Sequence, residues 1–160
     1  MLKSSALVVL VALLSGCGFT LRGTAELAPA LQPLYVDVEN TTAISREVVR
    51  VLIDNDVTLT SDTAAASHRL DVGGETSSER AISVNANARA GEYELVMGVQ
   101  FQLRRGAELV LQPQQLTTSK VYLADPENAV AKNEEAELIR TEMRKELAQQ
   151  ILRRLQAVKL

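Results

Sequence analysis

Tryptophan is missing from the 160 residues, and the other aromatics amount to three tyrosines and two phenylalanines. The chain therefore offers no row of rings on which the bases of a single-stranded nucleic acid would stack. Basic charge is also short: 17 Lys and Arg stand against 20 Asp and Glu, for a formal charge of -3 and a pI near 5.3. That balance argues against a nucleic-acid partner, which needs a broad basic face, while leaving room for a local basic patch. A single cysteine excludes an internal disulfide, and a single histidine leaves no Cys/His set with zinc-ligand spacing. Neither a metal nor any other cofactor is expected. With 46% hydrophobic residues and so few rings, the core of a one-domain globular chain must be aliphatic.

The first sixteen residues do not belong to that core. Lys3 and the amino terminus supply positive charge, Ala6 to Leu14 is an unbroken apolar run, and small residues Ser15 and Gly16 follow. These are the three regions of a secretory signal peptide. A transmembrane helix is the rival reading, but it takes about 20 apolar residues and this run stops at half that length. The lone cysteine then acquires a use. Leu14-Ser15-Gly16-Cys17 resembles the bacterial lipobox, in which the thiol is lipidated, the chain is cut before it and the new amine is acylated. Several acyl chains hold a protein stably at a membrane where one does so only marginally. The motif thus implies a leader over 1–16, a lipid anchor at Cys17 with a tether over 17–33, and a single domain over 34–160. Gly18 is not the Asp associated with inner-membrane retention, so the implied destination is the periplasmic side of the outer membrane of a Gram-negative cell. Loss of Lys3 with the leader takes the formal charge to -4.

Leu34 to Glu39 alternates apolar and polar residues as a half-buried strand does. Asn40-Thr41-Thr42 offers capping side chains to a helix whose Ile44, Val48, Val51 and Leu52 share one face, with Asn55 as its stop. Val57 to Thr60 suggests a short strand. Leu70 and Val72 suggest another, ended by Gly73-Gly74. Ile82 to Ala88 and then Tyr93, Leu95, Met97, Val99, Phe101 and Leu103 alternate strictly about a turn at Ala90-Gly91. After a reversal at Arg105-Gly106, Ala107 to Tyr122 forms a further strand, interrupted near Gln112-Pro113 because proline cannot donate to a ladder. Asp125-Pro126-Glu127 suits a helix start, and Ile139, Met143, Leu147, Ile151, Leu155 and Val158 form a stripe along the last helix. The order predicts an α+β two-layer sandwich, a largely antiparallel four- to five-stranded sheet with two helices on one face.

Catalytic signatures are lacking. There is no G-x-S-x-G elbow, Gly73-Gly74 has no following Lys for a phosphate loop, and Ser77-Ser78-Glu79 reads as a loop cluster. His68 has no neighbouring acid or nucleophile and is expected to be exposed or structural; a lipid-anchored hydrolase would have no other candidate base. The acids of the last helix read as a solvated face. Arg80, Arg89, Lys120 and Lys132 around the strands and their exit serve as solubilising charge or, on a membrane-anchored domain, as partners for the phosphates of an anionic amphiphile.

Cys17-Gly-Phe-Thr-Leu-Arg-Gly23, together with Ala131-Lys132-Asn-Glu-Glu and the following Leu138, Met143, Gln150 and Arg154-Leu155, resembles the LPS-assembly lipoprotein family LptE over essentially the mature chain. The resemblance implies a non-enzymatic plug that sits inside the outer-membrane β-barrel LptD in a one-to-one complex, helps it assemble and assists insertion of lipopolysaccharide into the outer leaflet. It also implies lipopolysaccharide binding through basic residues. Lys132 matches a family lysine at the start of the last helix; the family arginine falls at Ala86 without a gap, which leaves Arg89, three residues on, as its counterpart. Lys120 joins them as a third candidate on charge and position. From the residues alone, a lipid-binding accessory of an ABC-type lipid transport system is the alternative.

Overall fold

A computed structural model describes residues 27–37, 42–84, 90–123 and 128–159. Four strands, β1 (Leu34–Asp37), β2 (His68–Val84), β3 (Ala90–Arg105) and β4 (Glu108–Leu123), form one sheet in chain order. Helices α1 (Ala43–Asp54) and α2 (Ala129–Gln156) lie together on one of its faces. The α+β two-layer expectation holds with four strands. The sheet is mixed: β1 runs parallel to β2, and the remaining pairs are antiparallel.

Local chemistry accounts for most boundaries. The Thr42 hydroxyl accepts from Ser45 N, capping α1, and Asn55 closes the helix while its side chain donates to Val51 O. Ile44, Val48, Val51 and Leu52 are all buried against the sheet. On β3 the alternation places Leu95, Met97, Val99, Phe101 and Leu103 in the core and their neighbours on the opposite face. Each such side chain contributes roughly 1.5–3 kcal/mol on burial. The last 13 or so residues of α2 bring Met143, Leu147, Ile151 and Leu155 onto the same core. Leu27 and Leu31 are buried in it too, so packing starts inside the stretch read above as tether.

Five local expectations are corrected. Ala90 and Gly91 do not form a turn: both are strand residues that open β3. Gly73-Gly74 does not end a strand: β2 runs on to Val84, and between Gly73 and Thr76 it carries one residue more than β3 does opposite. Gly74 takes φ 63° in this bulge, a conformation glycine adopts without the penalty of a Cβ. Ser77, Ser78 and Glu79 are consequently strand residues, paired with Met97, Val96 and Leu95. Val57–Thr60 contributes only one isolated bridge, Leu59 to Leu34. The start of α2 is capped by Asn128, whose Oδ1 accepts from Ala131 N; Asp125 and Pro126 lie outside the described residues. The interruption at Gln112-Pro113 is present, as one extra residue on β4 between the partners of Phe101 and Leu103.

His68 is buried, at 3% exposure, with neither ring nitrogen hydrogen-bonded among the described residues. Burial first, and then the Arg105 guanidinium, push its pKa down, with Glu108 opposing. Among the described residues no acid or nucleophile is hydrogen-bonded to it. Among the described residues no group of acidic and Cys/His side chains is gathered to hold a metal, and no helix is long and apolar enough to cross a membrane.

Candidate functional site

Because β2 continues past the glycines, Glu75 and Glu79 turn toward the helices and meet the cations of α2. Glu79 Oε1 lies 2.6 Å from Lys132 Nζ and Oε2 lies 3.4 Å from the Arg140 guanidinium. Glu75 Oε1 accepts from Arg144 Nε at 2.9 Å, and its Oε2 accepts from Ile44 N at the start of α1, tying both helices to one carboxylate. Arg144 also reaches Glu137 at 3.1 Å. Lys132 Nζ stands 3.7 Å from the centre of the Tyr93 ring, which stacks on Tyr122 at 5.6 Å. The ring face attracts the ammonium.

Electrostatics follow from this crowding. Burial alone would raise the Glu79 carboxyl, but the Lys132 ammonium, the Tyr122 hydroxyl and Arg140 outweigh it and hold the pKa below the usual carboxylate value. Lys132 is raised, chiefly by its hydrogen bond to Glu79. Tyr122, nearly buried, is pushed up to about 12 by desolvation and then by the Glu79 carboxylate beside it. Its hydroxyl closes no hydrogen bond of good geometry.

Of the residues singled out in the sequence, Lys120 and Lys132 share the helix-facing side of this end of the sheet, each held by its own carboxylate. Lys120 Nζ pairs with Glu142 at 2.7 Å in an exposed contact. Arg80 lies elsewhere, paired with Glu94 and largely exposed. Arg89 and Cys17 fall outside the described residues. Glu79, Tyr93, Tyr122 and Arg140 were not foreseen. The available signal was the even spacing of Glu79 and Ala81 with respect to one strand face, hidden by reading the glycines as a stop. Around this end, Leu123, Val130 and Leu138 are large apolar side chains left about 70% exposed.

Fold and site together define a two-layer α+β domain in which cations and apolar side chains share one end and no catalytic group is assembled among the described residues. The chain belongs to the LptE family, Lipopolysaccharide-assembly, whose model matches residues 31–155. The LPS-assembly lipoprotein LptE of Yersinia pestis (strain Pestoides F) is 34% identical over 147 residues, covering 90% of this chain and 70% of that protein. The protein of the same name from Yersinia pseudotuberculosis serotype O:1b (strain IP 31758) matches equally. Among solved structures, the rare lipoprotein B of Shewanella oneidensis superposes with a TM-score of 0.65 at 27% identity, covering 76% of this chain and 90% of that one. The solution structure of a lipoprotein B from Nitrosomonas europaea gives a TM-score of 0.72 at 23% identity, over 88% and 91% of the two chains, and bears on the fold alone.

Proposed function

We propose that this chain is a non-enzymatic outer-membrane lipoprotein that plugs the barrel LptD, helps it assemble and assists lipopolysaccharide insertion into the outer leaflet. In this reading residues 1–16 are a leader, Cys17 carries the lipid, and the stretch after it tethers the domain on the periplasmic side. The observation that carries the proposal is the family match over 31–155, which takes in both layers and the Lys132 cluster. The transporter-accessory alternative has no comparable support.

Lys132, Lys120 and Arg89 are the proposed contacts for lipopolysaccharide. An anionic amphiphile needs cations for its phosphates and apolar side chains for its acyl chains. Lys132 and Lys120 with Val130, Leu138 and Leu123 supply both at one end of the domain. Polar lumen walls suit a plug with a hydrophilic outer surface, and the open face of the sheet fits that, with Arg69, Asp71, Gln102 and Arg104 joined in one network.

The test is extraction of the lipidated chain in mild detergent. Recovery of a one-to-one complex with a barrel protein is the expected result, and recovery with a transporter and no barrel overturns the plug. Mass spectrometry of the N-terminal peptide is expected to show an acylated Cys17. Lys132→Asp is expected to weaken lipopolysaccharide binding at matched salt, and unchanged affinity would remove Lys132 from the site.

A further inference from the structure

Lys132, one of the cations proposed to meet phosphates, is already occupied by a carboxylate from the opposite layer. Glu79 reaches up from β2, spans Lys132 and Arg140 with its two oxygens, and all three side chains are only about a quarter exposed. Building on the reading of Lys132 as a phosphate ligand, we propose that Glu79 is a resident competitor. It sets the selectivity of the Lys132–Arg140 pair, yielding to a dianionic phosphomonoester headgroup and holding off a monoanionic phosphodiester.

The physical basis is the difference between an attached and a free anion. A tethered carboxylate competes at an effective concentration of mM or more, so a single-charged headgroup that offers no more than Glu79 does cannot displace it. A phosphomonoester carries between about 1.5 and 2 negative charges at neutral pH and three acceptor oxygens, enough to engage the ammonium and the guanidinium together. Lys132 does not lose its place when the carboxylate leaves, because the Tyr93 ring still holds its ammonium. The Tyr122 hydroxyl, buried beside Glu79, already favours the ionised carboxylate in its resident position. Glu137 lies between Arg140 and Arg144, at 3.4 and 3.1 Å, Arg144 is further tied to Glu75, and Lys120 pairs in the open with Glu142. Val130 and Leu138, exposed on the same helix, give the chains of a lipid somewhere to lie.

Binding of short-chain phosphatidic acid and short-chain phosphatidylglycerol, each below its micelle concentration, to the detergent-solubilised full chain tests this. The chain is expected to prefer phosphatidic acid. Glu79→Gln is expected to strengthen phosphatidylglycerol binding about tenfold and to collapse the preference, the scale of losing one charge-assisted hydrogen bond from the competitor. Equal preference in the Glu79→Gln protein and the parent overturns the competitor role. Lys132→Gln separates the two readings: if it weakens phosphatidic acid binding while Glu79→Gln changes nothing, the phosphate contact stands and only the competitor falls. If Lys132→Gln leaves phosphatidic acid binding unchanged, both fall. Glycerol 3-phosphate binding as tightly as phosphatidic acid would assign the site to free phosphate and overturn the lipid. Should Glu79→Gln fail to fold, Glu79→Asp keeps the charge on a shorter stem and is expected to move the preference part of the way; an unmoved preference then overturns the proposal.

Discussion

From Met143 to Leu155, α2 buries Met143, Leu147, Ala148, Ile151, Leu152 and Leu155, whereas from Ala129 to Glu142 it buries only Ala136. The first half of the helix is held instead by Lys132 and Arg140 reaching to Glu79, with Arg144 just past its end reaching to Glu75 and Glu137. One continuous helix is thus fastened by two kinds of force. Apolar packing is non-directional, is not screened by salt and cannot be exchanged for a competing ion. Half-buried ion pairs give less net stability and can be exchanged for another anion of better fit. The far end of the molecule is where a ligand can substitute for an internal contact, and the near end is what keeps the fold intact while it does so.

The contrast is broken most directly at the near end. Leu147→Ala is expected to cost about 2–5 kcal/mol in denaturant melts, and a loss well below that range would mean the buried half does not carry the helix. At the ionic end alkali has the next largest effect. Tyr122 titrates near 10.0 unfolded and at about 12 folded, so the neutral form stabilises the fold below the unfolded value and that stability drains away as pH rises through the folded one. The loss is on the order of 2 kcal/mol, and Tyr122→Phe is expected to flatten the stability profile above pH 10. Arg144→Ala leaves Glu75 half-buried without its guanidinium while Glu75 still caps α1, and a loss of roughly 1–2 kcal/mol, shrinking in high salt, is expected by chemical denaturation. Removing the Asn128 cap in Asn128→Ala is expected to cost about 1 kcal/mol and to fray the first turn in amide exchange. Lys120→Ala, which breaks an exposed pair with Glu142, is expected to leave the melting curve unmoved; a clear shift there would show that the surface pairs also bear weight.

Legibility followed the range of the interactions. Helix α1 could be read almost residue by residue, from the Thr42 cap through the buried face to Asn55, because cap and periodicity act within a few residues. The core face of β3 was legible for the same reason. The continuation of β2 through Gly73-Gly74 was not, since a glycine pair serves equally as a stop and as a bulge, and only pairing with β3 decides between them. Asn128 in place of Asp125 as the α2 cap is a choice among nearby competent side chains that packing makes.

The sequence by itself determined that this chain has an aliphatic core, a helix after the first strand, and a long striped helix at the end. It also marked Lys132 as a residue to watch. What only the tertiary structure decided is the company Lys132 keeps: a carboxylate from β2, a ring from β3 and a buried hydroxyl from β4. Periodicity and capping are written along the chain, whereas the partners of a charge are set by register across it, and a single bulge moves every residue beyond it to a new neighbour.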